Sequence, residues 1–202
     1  MNWNKCKNYK DLLTCMRKFL KGELNYTPNH KGKLVEDDPI YIDRLLKLND
    51  LGIMTDDGQE YKYDKTIRKI FIQKEYVSFV YKLKGNESFE QIEQKLRCGN
   101  FQFMMKDLKS EKFSSSNFNW SDDNIYLTGN FNINNNDTLV LTEKFTHIIF
   151  LNDFNKNEYS NYIQLVDDFV DNTIMFFIWN KTWIKDDKHY LLDDIINIWI
   201  NL

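Results

Sequence analysis

Apolar residues recur at intervals of three and four along several stretches of the chain, which is the pattern of helices buried on one face. From Asn8 to Leu20 this pattern predicts an amphipathic helix, and Gly22 follows as its end signal. A second helix is expected to begin at Pro39, because proline suits the first helical position and the preceding aspartates suit a helix N-terminus. Gly52 ends that helix. Further helices are predicted over residues 86–97, over residues 159–169, and after a cap at Asp186 or Asp187.

Stretches rich in β-branched and aromatic residues predict the strands. The clearest is Tyr76–Tyr81, within a strand-forming stretch that spans residues 67–83. Apolar and polar residues alternate from Asn124 to Ile133, as in a strand buried on one face. Because the strands cluster in the middle of the chain, we expect an α+β fold with a central antiparallel or mixed sheet of about five to seven strands, flanked by about five helices. Other segments are strands at 101–105, 138–141, 147–151 and 174–179, an extended segment at 53–58, a polar connector at 60–65, a loop at 110–123 and a turn at 134–137.

Length and composition favour one globular domain over residues 1–202. The chain is 42% apolar and 15% aromatic, which is ample material for a core. Its charge is uneven: within a net charge of −3, residues 1–35 carry a balance of +6 and residues 157–202 a balance of −5. The net charge argues against nucleic-acid binding, whereas residues 1–35 suggest a basic N-terminal helical appendage with a face for an anionic partner such as nucleic acid.

The amino-acid usage and the missing targeting signals bear on the source of the protein. There is no alanine, and residues of AT-rich codons such as Asn, Lys, Ile, Phe and Tyr are abundant, which predicts an AT-rich genome of a large DNA virus, a low-GC bacterium or a protozoan. The 3 cysteines form no C-x-x-C pair, as expected in a reducing compartment. The N-terminus lacks the apolar segment of a signal peptide, and no apolar run approaches the ~20 residues of a membrane span. We therefore expect a protein of the host-cell cytoplasm or of the virion, with no membrane partner.

A helix-to-turn motif stands at residues 45–59, with the sequence Leu-Leu-Lys-Leu-Asn-Asp-Leu-Gly-Ile-Met-Thr-Asp-Asp-Gly-Gln. It resembles an uncharacterised domain family of large DNA viruses and some bacteria, in which a helix ending in Leu-x-x-Leu-Asn-x-x-Gly leads into a Thr-x-x-Ser-Gln-Pro turn. The family's second element, Gln-Arg-Ala-Tyr-Val-Ser-Gly-Phe, is similar to residues 73–79 here. The resemblance covers about residues 40–82 and departs from the family pattern at Gly58, Glu60 and Phe79. It implies no activity, and it fits the viral codon signature.

The polar residues of this motif are the candidate ligand-binding residues. The neutral amides of Gln59 and Gln73 can match the hydrogen-bond donors and acceptors of a ligand. The alternative is a structural corner, in which short side chains bond the backbone of their own turn. The candidate set is Asn49, Thr55, Asp57, Gln59, Gln73 and Tyr76.

A second hypothesis places a metal-dependent enzyme site at Asp56, Asp57, Glu60 and Lys62, because such chemistry needs carboxylates on a metal and a lysine near the attacking water. Against it, adjacent residues of a strand point to opposite faces, so an aspartate pair rarely supplies two ligands to one metal. The histidines, His30, His147 and His189, lack metal-binding spacing, and neither a phosphate-binding loop nor a nucleophile motif is present. We therefore predict no metal and no cofactor.

The sequence thus favours a protein-interaction or ligand-binding protein without evident catalysis, with a protein partner expected. The alternative is a metal-dependent enzyme that acts on a nucleotide or nucleic acid. A concave pocket with converging polar groups would favour an enzyme or small-molecule site, whereas a flat aromatic patch would favour a protein partner. The aromatics considered for such a patch are Trp3, Tyr9, Tyr61, Tyr63, Trp120 and Trp183.

Overall fold

The computed structural model describes residues 2–32, 38–66, 70–116, 126–133, 139–146, 159–183 and 190–202. The described helices are α1 (Tyr9–Leu20), α2 (Pro39–Asp50), α3 (Phe89–Leu96), α4 (Ser160–Ile163) and α5 (Leu191–Ile200), with a short 3₁₀ helix at Trp3–Lys5. The described strands are β1 (Ile53–Gln59), β2 (Lys62–Lys65), β3 (Ile70–Gln73), β4 (Tyr76–Lys82), β5 (Phe101–Asp107), β6 (Phe113–Ser115), β7 (Tyr126–Ile133), β8 (Leu139–Thr146) and β9 (Thr173–Asn180).

The strands form two antiparallel sheets, which confirms the predicted α+β class. One sheet has 5 strands in the order β1-β4-β9-β5-β6, and the other has 4 strands in the order β2-β3-β7-β8. The polar connector and the loop of the sequence analysis each contain a short strand, β2 and β6, because an exposed edge strand needs no apolar alternation. The predicted strand at 147–151, the turn at 134–137 and the caps Asp186 and Asp187 lie outside the described residues.

One long β-hairpin runs through both sheets. Its first arm is β1 followed by β2, and its second arm is β3 followed by β4. The pairing of Gln59 with Tyr76 belongs to the first sheet, and the pairing of Lys62 with Gln73 belongs to the second. The hairpin therefore turns a corner between these two residue pairs, and this corner connects the sheets.

Local capping signals explain where the first helices begin. The Asn8 side chain accepts a hydrogen bond from the Asp11 amide, and the Asp38 side chain accepts one from the Ile40 amide. Ser88 and Gln91 form a capping box at the start of α3. The predicted helix over residues 159–169 is much shorter in the structure, where only Ser160–Ile163 is helical and turns follow.

The side chain of Tyr190, the N-cap residue of α5, makes no capping hydrogen bond. Instead, the buried carboxylate of Glu75 accepts a hydrogen bond from the Leu191 amide at 3.0 Å. A carboxylate at this position also meets the positive end of the helix dipole. The corner between the two sheets is thereby joined directly to α5.

The main core packs the helices against the five-stranded sheet. Leu12, Cys15 and Met16 of α1 belong to the same buried cluster as β4 and β9, so α1 packs into the main core. Trp3 and Tyr9 are buried in that cluster, so the suggestion that they form an exposed aromatic patch was wrong. Their polar ends find backbone partners, which permits this burial: the Trp3 Nε1–H donates to the Tyr26 carbonyl, and the Tyr9 hydroxyl donates to the Val80 carbonyl at 2.9 Å.

Among the described helices, none combines the length and apolar character that crossing a membrane requires.

We expect Ser88→Ala to destabilise the protein by about 1 kcal/mol, because the capping box of α3 loses the side chain that accepts from the Gln91 amide. Urea unfolding measures this loss. Ser160→Ala is the control, since the Ser160 hydroxyl makes no hydrogen bond with the described residues. Equal stability of the two variants would contradict the capping role of Ser88.

Candidate ligand-binding cleft

A cleft of about 460 Å³ opens between α1, α2, β1 and the loop at residues 27–30. Its apolar wall comes from the two helices and its polar wall from β1 and the loop. A cleft of this size, with apolar surface and a few polar groups, has the character of small-molecule sites. The lining residues are Met16, Phe19, Leu20, Thr27, Asn29, His30, Tyr41, Leu45, Thr55, Asp56, Asp57, Gly58 and Gln59.

A β-bulge in β1 places Asp56 and Asp57 together in this cleft. Thr55 pairs with Phe79 and Asp57 pairs with Ser78, so Asp56 is an extra residue in the ladder. A bulge interrupts the alternation of side chains and redirects the extra residue. Two adjacent carboxylates therefore line one cleft, which overturns the expectation that neighbours in a strand point to opposite faces.

The Asp56 carboxylate is held from two sides. The Asn29 Nδ2–H donates to both carboxylate oxygens, at 3.0 and 3.2 Å, and the Tyr162 hydroxyl lies 3.1 Å from Oδ1. Asn161 of α4 in turn donates to the Asn29 side chain and to the Pro28 carbonyl, each at 3.1 Å. The loop at residues 27–30 is thus joined to β1 through the Asp56 carboxylate and to α4 through the Asn161 amide.

Burial raises the pKa of Asp56 from its ordinary value of 3.8 to about 6. The hydrogen bonds from Tyr162 and Asn29 act in the opposite direction, and the nearby charge of Asp57 adds to the rise. The same surroundings raise the pKa of the Tyr162 hydroxyl, through burial first and the Asp56 charge second. Neither Asp56 nor Asp57 forms an ion pair with another described residue, so their charges are not compensated within the described structure.

Three residues of the predicted ligand-binding set line the cleft, namely Thr55, Asp57 and Gln59. Two others, Gln73 and Tyr76, contact members of this set. The Gln73 amide donates to Gln59 Oε1 at 2.6 Å and to the Glu60 carbonyl at 3.2 Å, so it also bonds across the corner of the hairpin. The Tyr76 hydroxyl lies 3.3 Å from Asp57 Oδ2.

Asn49 lies apart from the cleft. Its side chain is buried, and its Nδ2–H donates to the Leu13 carbonyl at 3.2 Å, which ties α2 to α1. This contact serves the packing of the two helices that form the apolar wall.

The residues of the metal-enzyme hypothesis divide between two places. Asp56 and Asp57 line the cleft, whereas Glu60 and Lys62 are not among its lining residues, and Lys62 is exposed on β2. No group of three or more His, Cys, Asp or Glu side chains in the described ranges converges as metal ligands would.

Several cleft residues gave no signal in the sequence. Asn29 and His30 line the cleft from a separate loop, and Asn29 lies 27 residues from Asp56 along the chain. Tyr162, which contacts Asp56, lies 106 residues from it. Nothing local in the sequence indicates that the loop at residues 27–30 folds onto the motif. Tyr41 and Phe19 follow the ordinary apolar pattern of their helices, and only the tertiary packing exposes them to a cavity.

No protein-family model matches the chain, and no curated protein is significantly similar to it in sequence. The resemblance of residues 40–82 to a viral domain family therefore stays a prediction.

The raised pKa of Asp56 predicts a pH-dependent stability. Between about pH 4 and pH 6 the folded protein holds the Asp56 proton more tightly than the unfolded chain, so this stabilisation is present below pH 4 and is lost as pH rises through 6. We expect the free energy of unfolding of the wild type to fall, relative to that of Asp56→Asn, by about 1–3 kcal/mol from pH 4 to pH 7. Urea unfolding across this range measures it, and a constant difference would contradict the burial effect.

A second variant tests the direction of the same effect. Tyr162→Phe removes a hydrogen bond that lowers the Asp56 pKa, so carboxyl NMR should place the Asp56 titration at higher pH than in wild type. A shift to lower pH would contradict the assignment of this hydrogen bond.

We expect Asn49→Ala to cost about 1 kcal/mol of stability, because it removes the hydrogen bond between the buried Asn49 amide of α2 and the Leu13 carbonyl of α1. Asn100→Ala is the matched control at an exposed position and should stay within about 0.5 kcal/mol of wild type. Urea unfolding compares the two. A cost no larger than that of the control would contradict the packing role of the Asn49 amide.

Proposed function

We propose that the protein is a ligand-binding protein and that the cleft between α1, α2 and β1 is its ligand site. The observation that carries this proposal is the bulge in β1, which puts Asp56 and Asp57 side by side on the polar wall of a cavity. Bulges are over-represented beside functional sites because they redirect a side chain out of the regular alternation.

The two walls supply the two parts of a small-molecule site. Met16, Phe19 and Leu45 offer apolar contact, and Thr55, Asp57 and Gln59 offer groups that orient a ligand. The volume of about 460 Å³ lies within the range of roughly 300–1,000 Å³ of small-molecule pockets. A concave pocket with converging polar groups favours this kind of ligand over a flat protein interface.

The polar wall is held in place before any ligand arrives. Gln73 fixes the Gln59 amide, Tyr76 contacts Asp57, and Asn29 fixes Asp56. Side chains fixed in this way lose less conformational entropy on binding, which favours affinity.

The wider biological setting continues to rest on the sequence. We propose a viral protein that acts in the host cytoplasm or in the virion. We also propose that its surface binds a protein partner. The support is the codon bias and the resemblance over residues 40–82.

An enzyme is the second candidate, and the pKa of Asp56 favours it. A carboxyl group that titrates near pH 6 is suited to general acid–base catalysis close to neutral pH. A metal-dependent reaction on a nucleotide has less support, because Glu60 and Lys62 do not line the cleft and a phosphate would face two carboxylates. Incubation with nucleotides and Mg²⁺ or Mn²⁺ tests it, and product formation that Asp56→Asn abolishes would favour the enzyme.

A thermal-shift screen of the purified protein against a broad library of small metabolites tests the ligand-binding proposal. A molecule present at 100 times its dissociation constant stabilises the folded state by about 2.7 kcal/mol, which raises the melting temperature by several degrees. We expect the shift to shrink in Asp57→Asn, whose side chain is exposed in the cleft, and to persist in Asp64→Asn, an exposed carboxylate on β2. A screen in which no small molecule shifts the melting temperature would contradict the proposal and favour a macromolecular partner.

A further inference from the structure

We infer that the ligand of the cleft is an organic cation, with an ammonium or amidinium group against Asp56 and Asp57 and an apolar body against the wall of α1 and α2. This inference rests on the proposed function and adds the chemical class of the ligand.

The first argument is the charge of the lining. Among the described lining residues, the carboxylates are those of Asp56 and Asp57, His30 is the one imidazole, and no lysine or arginine is present. Arg17, which neighbours the lining residue Met16 in α1, forms an ion pair with Asp50 of α2 instead. A ligand that carries phosphate or carboxylate would therefore meet like charge, whereas a cation would meet opposite charge.

The second argument is the number of acceptor positions left on the two carboxylates. A carboxylate offers about four lone-pair sites. The Asp56 carboxylate accepts hydrogen bonds from the Asn29 amide on both oxygens and from the Tyr162 hydroxyl on one. The Asp57 carboxylate accepts hydrogen bonds from the Gly58 backbone amide at 2.8 Å and from the Tyr76 hydroxyl at 3.3 Å. Once the donors of the described residues are counted, about three acceptor positions remain on the pair, and an ammonium group has three N–H donors.

The third argument is the cost of partly buried charge. Two adjacent carboxylates, one of them with its pKa raised by burial, repel each other in a site of reduced polarity. A bound cation offsets that repulsion and gains charge-assisted hydrogen bonds, which are roughly twice as strong as neutral ones. Within the part of the chain that the structure describes no ion pair compensates these carboxylates, and a cationic ligand would supply that partner.

The opposite wall decides between an organic and an inorganic cation. Met16, Phe19, Leu20 and Leu45 present carbon and sulfur atoms, which do not replace the water ligands of a metal ion. They suit the aliphatic or aromatic body of an amine, and a methionine in the wall can adapt to its shape.

Three compounds that share one ring and differ in charge test this inference by calorimetry: tyramine, its neutral analogue tyrosol, and the anion 4-hydroxyphenylacetate. We expect tyramine to bind at least tenfold more tightly than the other two. Asp57→Asn should weaken tyramine at least tenfold, while Asp64→Asn on β2 should leave its affinity within twofold of wild type. Agmatine and benzamidine extend the test to guanidinium and amidinium groups.

A charge reversal makes the test sharper. Asp57→Lys should weaken tyramine further and strengthen 4-hydroxyphenylacetate, so that the preference for the cation is reversed. Circular dichroism and urea unfolding establish first that each variant is folded, which the exposure of Asp57 favours.

The outcomes separate this inference from the proposed function. Tyrosol or the anion binding as tightly as tyramine would overturn the inference and leave a small-molecule site in place. If these cations do not bind while neutral or anionic molecules of the broader library do, the inference is likewise wrong. A stabilisation by Mg²⁺ or Ca²⁺ alone that Asp57→Asn removes would identify an inorganic cation and overturn it. Absence of binding by every small molecule would overturn the proposed function itself.

Discussion

The pairing of β1 with β4 is the interaction on which the cleft depends. Regular antiparallel pairing would put Asp56 and Asp57 on opposite faces of the sheet. The bulge after Thr55 inserts Asp56 as an extra residue, after which the ladder resumes at Asp57 and continues to Gln59. The backbone thus keeps its hydrogen bonds to β4 on both sides of the irregularity, so the unusual carboxylate pair is built into an otherwise stable sheet edge.

The same hairpin also holds the polar wall in place through buried contacts at its corner. Lys74 and Glu75, which stand between β3 and β4 at the corner of the hairpin, are buried. Lys74 Nζ donates to the Lys181 carbonyl and lies 4.6 Å from the centre of the Trp183 ring, while burial lowers the pKa of Lys74 to about 8. Glu75 accepts from the first amide of α5. Buried charges with such partners allow few alternative geometries, because any shift of the corner would leave a charge without its partner.

Much of the fold was predictable because its signals are local. The caps Asn8, Asp38 and Ser88 and the apolar spacing behind them determine where α1, α2 and α3 begin. The start of α5 was not predictable, since its first amide is bonded by Glu75, 116 residues away along the chain. The sequence did not predict β2, because the strand is exposed throughout and so lacks the apolar alternation that marks a half-buried strand.

The site was predictable only in part, and the reason is again physical. Thr55, Asp57 and Gln59 belong to one short motif, so a sequence pattern can point to them together. The bulge breaks the alternation rule on which the interpretation of Asp56 relied, and register shifts leave little trace in residue types. Asn29 and Tyr162 reach Asp56 through tertiary packing, which no local spacing encodes.

Charge at the level of the whole chain and charge at the cleft lead to different expectations about partners. The basic balance of residues 1–35 arises from side chains such as Lys7, Lys10 and Lys21, which are exposed around α1. The opposite side of that helix contributes Met16 and Phe19 to a cleft whose acidic groups come from β1. Exposed lysines act over a distance that salt shortens to about 8–10 Å, whereas carboxylates inside a partly enclosed cleft are screened much less. For the proposed ligand site, the sign of the charge inside the cleft, and not the basic surface outside it, therefore sets the charge of the small molecule that we expect to bind.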